Sequence, residues 1–456
     1  MLNHKLKIIL FLTCLAISLK GFTHNLPDLG SPGLVTYDRQ TEIKLGRAFT
    51  QALHTEVDLV KDPEVLSYVR RIGHRLAEHA QDGRNYRFYV ISDPSINAFA
   101  GPDGIIGIHS GLILAAESED ELASVIAHEI AHVTQQHLAR RFEQQSALNI
   151  TSFASLLAAI LIGSQNPGAG VAAMMGATGL SIQEQLRYSR IHEHEADHFG
   201  IELLHKSGYN PHAMADFFGK LSKQQQIHEF RPPEILMTHP VTDTRLAQAS
   251  NRAAKLTPYI TRHDSINLAL VQIRLSNQIK PNSNPIHLET LRCYQSSIQH
   301  TTASSTALDC LNQSLANHPN NRLLKTQLLR IKIEKEMDHS LNELNKLLEL
   351  YPQDEAMLLI TAQIYREQGK TQAAQQLILN NIHNKRYSFE LYQELSQNFA
   401  AQQQWAEAYL FEAQAHLALG NFERAKHLIK QSKTSLPSIS PELAKQQASI
   451  EQQLNP

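Results

Sequence analysis

Three polar residues on one predicted helix have the spacing of a metal site. His128 and His132 are four residues apart, so on a helix both imidazoles project from one face, about one turn apart. Two imidazoles placed in this way can bind one tetrahedral zinc ion, and Glu129 can take a proton from a water molecule at that ion. The pattern predicts His128 and His132 as metal ligands and Glu129 as the general base.

The segment that carries this pattern is predicted to be a buried helix. Ser118 stands three residues before Glu121 and precedes an apolar run, which is the capping box that begins many helices. From Leu122 to Val133 the sequence is apolar on nearly every side of the helix. Polar groups without partners cost free energy in such surroundings, so the histidines and the glutamate need a reason to be there. A metal ion supplies one.

A catalytic zinc ion needs a third protein ligand, and the residues just after His132 do not provide it. The metzincin pattern requires glycine at position 135 and histidine at position 138, where this chain has Gln135 and Leu138. That class is therefore excluded. His137 has the wrong spacing for a ligand, and we expect it at a solvated helix end.

A second helical segment, residues 190–200, offers the missing ligand. Glu193 and Asp197 share one helical face. In the gluzincin arrangement, such a glutamate binds the metal and such an aspartate accepts the N–H of a ligand histidine. Other possible ligands remain in the segment: His192, His194, Glu195 and His198. If Glu195 were the ligand, the residue one turn later would be Phe199, which cannot accept that hydrogen bond, so we predict Glu193.

The sequence around these motifs, from about residue 38 to 255, mixes helix and strand patterns. Amphipathic helices are predicted at Thr41–Leu53 and Pro63–His79, and strands at Tyr86–Ile91 and Ile105–His109. We expect the second strand to lie at the edge of a sheet, where an extended substrate could pair with it.

Residues from about 40 to 250 resemble the M48 family of metallopeptidases. The resemblance is carried by Asn97–Ala100, by residues 104–111, by the motif at 128–132 and by Glu193–Asp197. It implies an α+β, mainly α fold, with a zincin-type metallopeptidase domain that contains a small β-sheet. It also implies metalloendopeptidase activity with one Zn²⁺ ion per chain, and the family's ligand glutamate matches Glu193.

The resemblance also assigns roles to a later segment, Thr238-His239-Pro240 followed by Arg245. It implies that His239 occupies the fourth metal position and holds the enzyme latent, or swings away and stabilises the transition state. Arg245 would support charge in the cleft. An ordinary loop histidine before a proline is the alternative. Asp197, His239 and Arg245 thus join Glu129 as candidate catalytic residues.

Beyond about residue 260 the chain becomes helical and rich in alanine, leucine and glutamine. Similar helix junctions occur at Gly369 and Gln403, 34 residues apart. Periods near 34 residues are typical of tetratricopeptide-like helix pairs. We therefore predict a metallopeptidase domain over residues 24–260 and an all-α, tetratricopeptide-like solenoid over residues 265–456, with an ordinary helical domain as the alternative.

Two apolar segments bear on location. A basic start followed by the apolar run Ile8–Leu19 fits a signal-peptide core and is too short for the roughly 20 residues that span a bilayer. We assign residues 1–23 as a signal peptide, with an uncleaved anchor as the alternative; the family resemblance then implies the periplasm. For residues 145–182 we predict a mobile flap or a hairpin in peripheral contact with a membrane. The alternative is a helical pair in the core.

Composition and resemblance together suggest the partners. A net charge of -2 offers no basic excess to bind nucleic acid, so that partner is excluded. The resemblance implies unfolded or misassembled protein substrates, and contact of the helical tail with the outer-membrane assembly machinery for β-barrel proteins. A tail that acts mainly as a chaperone or adaptor, with secondary proteolysis, is the alternative. Cys293 and Cys310 could pair in an oxidising compartment or remain buried thiols.

Overall fold

The structure is a computed structural model of the 456-residue chain. It describes residues 37–144, 190–227, 233–256, 265–299, 305–337, 339–352, 354–381, 389–435 and 439–454. The predicted signal peptide, the segment 145–182 and the predicted domain boundary at residue 260 lie outside the described residues. Within those residues, no helix combines the length and the apolar character that crossing a bilayer requires.

The first part of the chain combines a small sheet with helices, as predicted. Its elements are, in chain order, α1 (Arg39–Glu56), α2 (Pro63–Ala77), β1 (Arg87–Ile91), β2 (Ala98–Ala100), β3 (Ile105–His109), α3 (Ser110–Ala115), α4 (Glu119–Thr134), α5 (His137–Gln144), α6 (Arg190–Lys206), α7 (Ala213–Ile227), α8 (Glu234–Thr238) and α9 (Asp243–Ala253). The helices and strands predicted from the sequence are confirmed, with their bounds shifted by a few residues at most.

Side chains at the helix starts explain where these helices begin. Asp38 accepts a hydrogen bond from the backbone N–H of the third residue of α1, and Asp62 accepts two such bonds at the start of α2. Pro63 at the first position of α2 loses nothing, because that N–H has no partner within a helix. Ser118 caps α4 by accepting from the N–H of Glu121 at 3.1 Å, as the capping box predicts.

The three strands form one sheet in the order β1-β3-β2, with β3 parallel to β1 and antiparallel to β2. The expectation that β3 is an edge strand is wrong, because β3 is the central strand and all of its residues are buried. Among the described residues, the short strand β2 pairs with no strand on its other side. Position 107 of β3 has room only for glycine, because a Cβ atom there would lie 2.2 Å from the ring of Phe99.

All regular secondary structure in the described part of the tail is helical. Its helices are α10 (Ser265–Ser276), α11 (Leu288–Gln299), α12 (Ser305–Asn317), α13 (Arg322–Glu334), α14 (Ser340–Leu350), α15 (Glu355–Glu367), α16 (Thr371–Asn381), α17 (Phe389–Ala401), α18 (Trp405–Ala418), α19 (Phe422–Thr434) and α20 (Pro441–Leu454). The pair α15 and α16 is followed 34 residues later by the pair α17 and α18. This period supports the tetratricopeptide-like assignment, which stays a prediction.

The tail shares a hydrophobic core with the first part of the chain. One cluster of buried side chains includes Val65 of α2, Ile126 of α4, Leu270 of α10 and Ile331 of α13. The first tail helices therefore fold against the part of the chain that carries the motifs. Cys293 and Cys310 form a disulfide that joins α11 to α12, rather than remaining as two thiols.

An ion pair is buried where α2 meets the tail. The Glu64 side chain is 2% exposed, and both terminal nitrogens of Arg322 contact its carboxylate. The Nε atom of Arg322 lies 3.0 Å from Asp354 Oδ2. Burial raises the pKa of Glu64, and the charge of Arg322 opposes that rise. Removing Arg322 would leave a buried carboxyl group without its cation.

We expect Arg322→Met to lower the free energy of unfolding by about 3–5 kcal/mol, because it leaves Glu64 buried and unpaired. The measurement is denaturant unfolding of the full chain. Arg330→Met is the matched control on the same helix, because Arg330 makes a half-exposed pair with Glu334, 3.5 Å away. Its loss should cost no more than about 0.5 kcal/mol. Equal effects of the two substitutions would contradict this account of the interface.

Candidate metal centre

Four buried side chains from three parts of the chain converge on one point. His128 and His132 come from α4, Glu193 from α6, and His239 from the residue that follows α8. Each offers one ligand atom, and these atoms lie within 4.8 Å of one another. Three imidazoles and a carboxylate form the nitrogen and oxygen donor set that zinc and related divalent metals prefer. The residues therefore fit a metal ion.

The distances show how closely the ligand atoms approach. His128 Nε2 and His132 Nε2 are 3.0 Å apart, and His132 Nε2 lies 3.5 Å from Glu193 Oε1. His239 Nδ1 lies 3.0 Å from Glu193 Oε1 and 3.3 Å from His128 Nε2. The imidazole of His239 thus lies inside the group, at a fourth position beside the three predicted ligands.

A close approach of two helices brings Glu193 to the histidines. Gly200 of α6 faces α4, and a Cβ atom at this position would lie 3.3 Å from Ala127 O and from His128 Cα. It would also lie 2.8 Å from Cε of Met214. The missing side chain lets α6 lie directly against α4, so that a glutamate two turns earlier on α6 reaches the ligand atoms.

Asp197 and Arg245 lie behind the ligands. Asp197 Oδ1 is 3.1 Å from His128 Nδ1, the contact predicted for it. Arg245 donates from Nε to Asp197 Oδ2 at 2.7 Å and from Nη2 to Oδ1 at 2.8 Å. Its Nη1 atom lies 2.8 Å from Glu193 Oε2. Arg245 is itself buried, so the charge that it supports is that of these two carboxylates.

Glu129 is fully buried next to the group, but it is not part of it. Burial raises the pKa of its carboxyl group, which favours a role in proton transfer. The backbone of Ala100, on β2, lies beside this carboxyl group, and Glu129 Oε1 lies 3.6 Å from His239 Nε2. The predicted base therefore stands between the ligands and the outer side of β2.

The charges of the group stabilise one another. Burial opposes charge on His128, but the carboxylates of Asp197 and Glu193 outweigh it and raise the pKa of His128 to about 9. Burial also opposes charge on Glu193, but His239 and His128 hold the pKa of Glu193 well below its ordinary value. Burial lowers the pKa of His132. Glu193 is thus ionised at neutral pH and available as an anionic ligand.

None of the alternative ligands in residues 190–200 joins the converging group found in the described part of the chain. Glu195 Oε2 instead pairs with His137 and Arg140. The ring of His192 stacks on that of His137 with 4.3 Å between centroids, and His198 lies 3.8 Å from Glu202. The geometry therefore favours Glu193 over Glu195, as predicted.

The expected solvent exposure of His137 is wrong, although His137 is not among the four converging ligand residues. Its side chain is fully buried instead of solvated, and its Nδ1 atom lies 2.8 Å from His132 Nδ1. The reason is a break in the helix: α4 ends at Thr134, and Gln136 has a left-handed backbone with φ 55°. A new helix begins at His137, so spacing counted along one continuous helix does not apply to it.

The fold and the site together define a zincin-type metallopeptidase domain. Residues 63–253 match the sequence profile of the family described as "Peptidase family M48", and the chain therefore contains a domain of that family. This confirms the family resemblance that the motifs indicated.

Several relatives match about half of the chain. A "Putative beta-barrel assembly-enhancing protease" of Vibrio cholerae is 39% identical over 256 residues, which cover 55% of this chain and 53% of the relative. A "Beta-barrel assembly-enhancing protease" of Yersinia pestis is 35% identical over 267 residues, 58% and 54% of the two chains. That of Escherichia coli is 38% identical over 238 residues, 52% and 49%. The match spans about half the length of each relative.

Substitution of each of two neighbouring glutamates tests which one binds the metal. Glu193→Gln should reduce bound metal from one ion per chain to a small fraction, because a neutral amide is a poor ligand. Glu195→Gln should still bind one ion per chain, because an amide oxygen can keep the hydrogen bond from His137. The measurement is elemental analysis after zinc loading and dialysis. The reverse result would assign the ligand to Glu195.

Proposed function

We propose that this chain is a zinc-dependent endopeptidase that cleaves unfolded or misassembled proteins. The observation that carries the proposal is the convergence of His128, His132 and Glu193 beside the buried carboxyl group of Glu129, within a peptidase family M48 domain. The sequence order of these residues and their geometry agree on one site.

Each residue of the site has a distinct role in this proposal. His128, His132 and Glu193 hold the ion, which when bound would acidify a water molecule and polarise the substrate carbonyl group. Glu129 accepts the proton of the attacking water and passes it to the leaving amine, a role that its raised pKa favours. Asp197 orients His128 through Nδ1, and Arg245 neutralises the carboxylates of Asp197 and Glu193.

The outer side of β2, which pairs with no other strand in the part of the chain that the structure describes, supports the binding of an extended substrate. Gly101 N donates to Ile105 O, and His109 N donates to Asn97 O, so the odd-numbered residues of this segment pair with β3. In an antiparallel pair the intervening residues direct their backbone groups outward. Ala100 is such a residue, and it lies beside Glu129. An extended polypeptide that added to this edge would pass the catalytic carboxyl group, and folded proteins rarely offer such a segment.

A cavity of about 320 Å³ continues from this edge, with Ala100, His132, Val133 and Leu138 among its lining residues. It would give room to a side chain of a bound substrate. Because the cavity includes His132, a side chain held there would lie within reach of the metal site.

We extend the proposal to location and partners. The predicted signal peptide, and relatives that bear the name "Beta-barrel assembly-enhancing protease", support action in the periplasm on β-barrel proteins of the outer membrane. The helical tail, with its period of 34 residues, would contact the assembly machinery or hold substrates as a chaperone. Peripheral membrane contact through residues 145–182 belongs to the same proposal.

The position of His239 supports a latent resting state. Its imidazole lies within 3.0 Å of Glu193 and 3.3 Å of His128, and Arg245 Nη1 donates to Pro240 O at 2.7 Å and so holds the loop. An imidazole in the fourth position would exclude the attacking water. Activation would then require the loop that carries His239 to move away.

Glu129→Gln tests the mechanism. The substitution keeps the size of the side chain but removes the base, so cleavage of an unfolded polypeptide should fall at least about 100-fold while the bound zinc is unchanged. The measurement is the initial cleavage rate of the full chain with equal zinc content. Glu202→Gln, on the partly exposed side of α6, is the control and should keep the wild-type rate. Undiminished cleavage by Glu129→Gln would rule out this mechanism.

His239→Ala tests latency. Removal of the fourth imidazole should raise the cleavage rate several-fold and produce self-cleavage fragments, because water regains access to the ion. The rate is measured on the same unfolded polypeptide, with His198→Ala as a control histidine outside the group. An inactive His239→Ala variant would contradict the latent state and leave His239 only a catalytic role. An unchanged rate would contradict both roles.

A further inference from the structure

A chain of hydrogen bonds leads away from the metal site on the far side of His132. His132 Nδ1 lies 2.8 Å from His137 Nδ1, and His137 Nε2 lies 2.9 Å from Glu195 Oε2. Arg140 Nη1 donates to the same carboxylate oxygen at 2.7 Å. His137 is fully buried, whereas Glu195 is one-third exposed. The proposed mechanism gives no role to His137, Arg140 or Glu195.

The positions of the protons in this series of hydrogen bonds can be assigned by starting from Glu195 and working back to His132. A carboxylate can only accept, so His137 Nε2 must donate to Glu195. A neutral imidazole that donates from Nε2 keeps a lone pair on Nδ1, which can accept from His132 Nδ1. His132 is then protonated on Nδ1, and its Nε2 atom carries the lone pair that can bind a metal ion. That atom is the one that faces His128 and Glu193.

We propose that His137 is a positioning residue for the metal ligand His132, and that Glu195, held by Arg140, fixes the tautomer of His137. The inference rests on the proposed metal site. It gives the two ligand histidines of α4 different supports. His128 has a carboxylate directly behind it, Asp197, at 3.1 Å. His132 has an imidazole behind it, which relays the effect of a more distant carboxylate.

The backbone supports this role over simple packing. Gln136, with its left-handed φ of 55°, turns the chain between α4 and α5 so that the first residue of α5 returns to His132. His137 and Arg140 both come from α5, and Glu195 comes from α6, so the hydrogen bonds also join these two helices. An apolar residue could fill the same space, but it could not fix the tautomer of His132.

Two substitutions of His137 separate hydrogen bonding from packing. His137→Leu fills a similar volume without a polar atom. His137→Asn places a side-chain oxygen near the position of Nδ1, where it can still accept from His132. The zinc affinity of the metal-free full chain is measured by competition with a chromogenic chelator, and the thermal unfolding midpoint of the same metal-free samples is recorded. If His137→Leu does not fold, Glu195→Ala tests the proposal instead, because Glu195 is partly exposed and its loss is easier to tolerate.

We expect His137→Leu to weaken zinc binding about 10–100-fold, and Glu195→Ala to weaken it at least about threefold. His137→Asn should remain within about threefold of the wild type, and the leucine and asparagine variants should differ more in zinc affinity than in the unfolding midpoint without metal. Wild-type affinity in His137→Leu or Glu195→Ala would overturn the proposal, as would equal losses in the leucine and asparagine variants. If the wild-type chain itself bound no zinc, the proposed function would fail as well.

Discussion

A buried helix that carries ionisable side chains is the constraint on which this structure depends. His128, Glu129 and His132 lie on α4, whose residues from Leu122 to Val133 are buried. Water cannot solvate these groups, so each one needs a partner from the protein or from a bound ion. Asp197 is such a partner for His128, and Arg245 pairs with Asp197 in turn. A metal ion held between the ligand atoms would be the partner of the remaining groups.

The frame that holds these partners extends well beyond the motifs. Gly200 allows α6 to approach α4, and α2 packs against α4, against β1 and against α15 of the tail. The hydrophobic core runs without interruption from α2 into the first tail helices, and the Glu64–Arg322 pair lies in that contact. A bound polypeptide or partner that displaced the tail would therefore act on the same helices that position the ligands.

Local patterns predicted the parts of the site that one helix determines. The cap at Ser118, the motif on α4 and the choice of Glu193 followed from spacing along single helices. Strand order could not be obtained in this way, because it depends on pairing between distant segments, and β3 was wrongly expected at the edge. The burial of His137 was missed because the chain turns at Gln136, so its position depends on tertiary contacts rather than on spacing.

Residues distant in sequence converge on one candidate metal site. The most direct measurement is X-ray absorption at the zinc edge on the zinc-loaded full chain. We expect four nitrogen and oxygen ligands at about 2.0–2.1 Å, with the outer-shell scattering of imidazoles and no sulfur. Six oxygen ligands without imidazole scattering, or sulfur at about 2.3 Å, would contradict it.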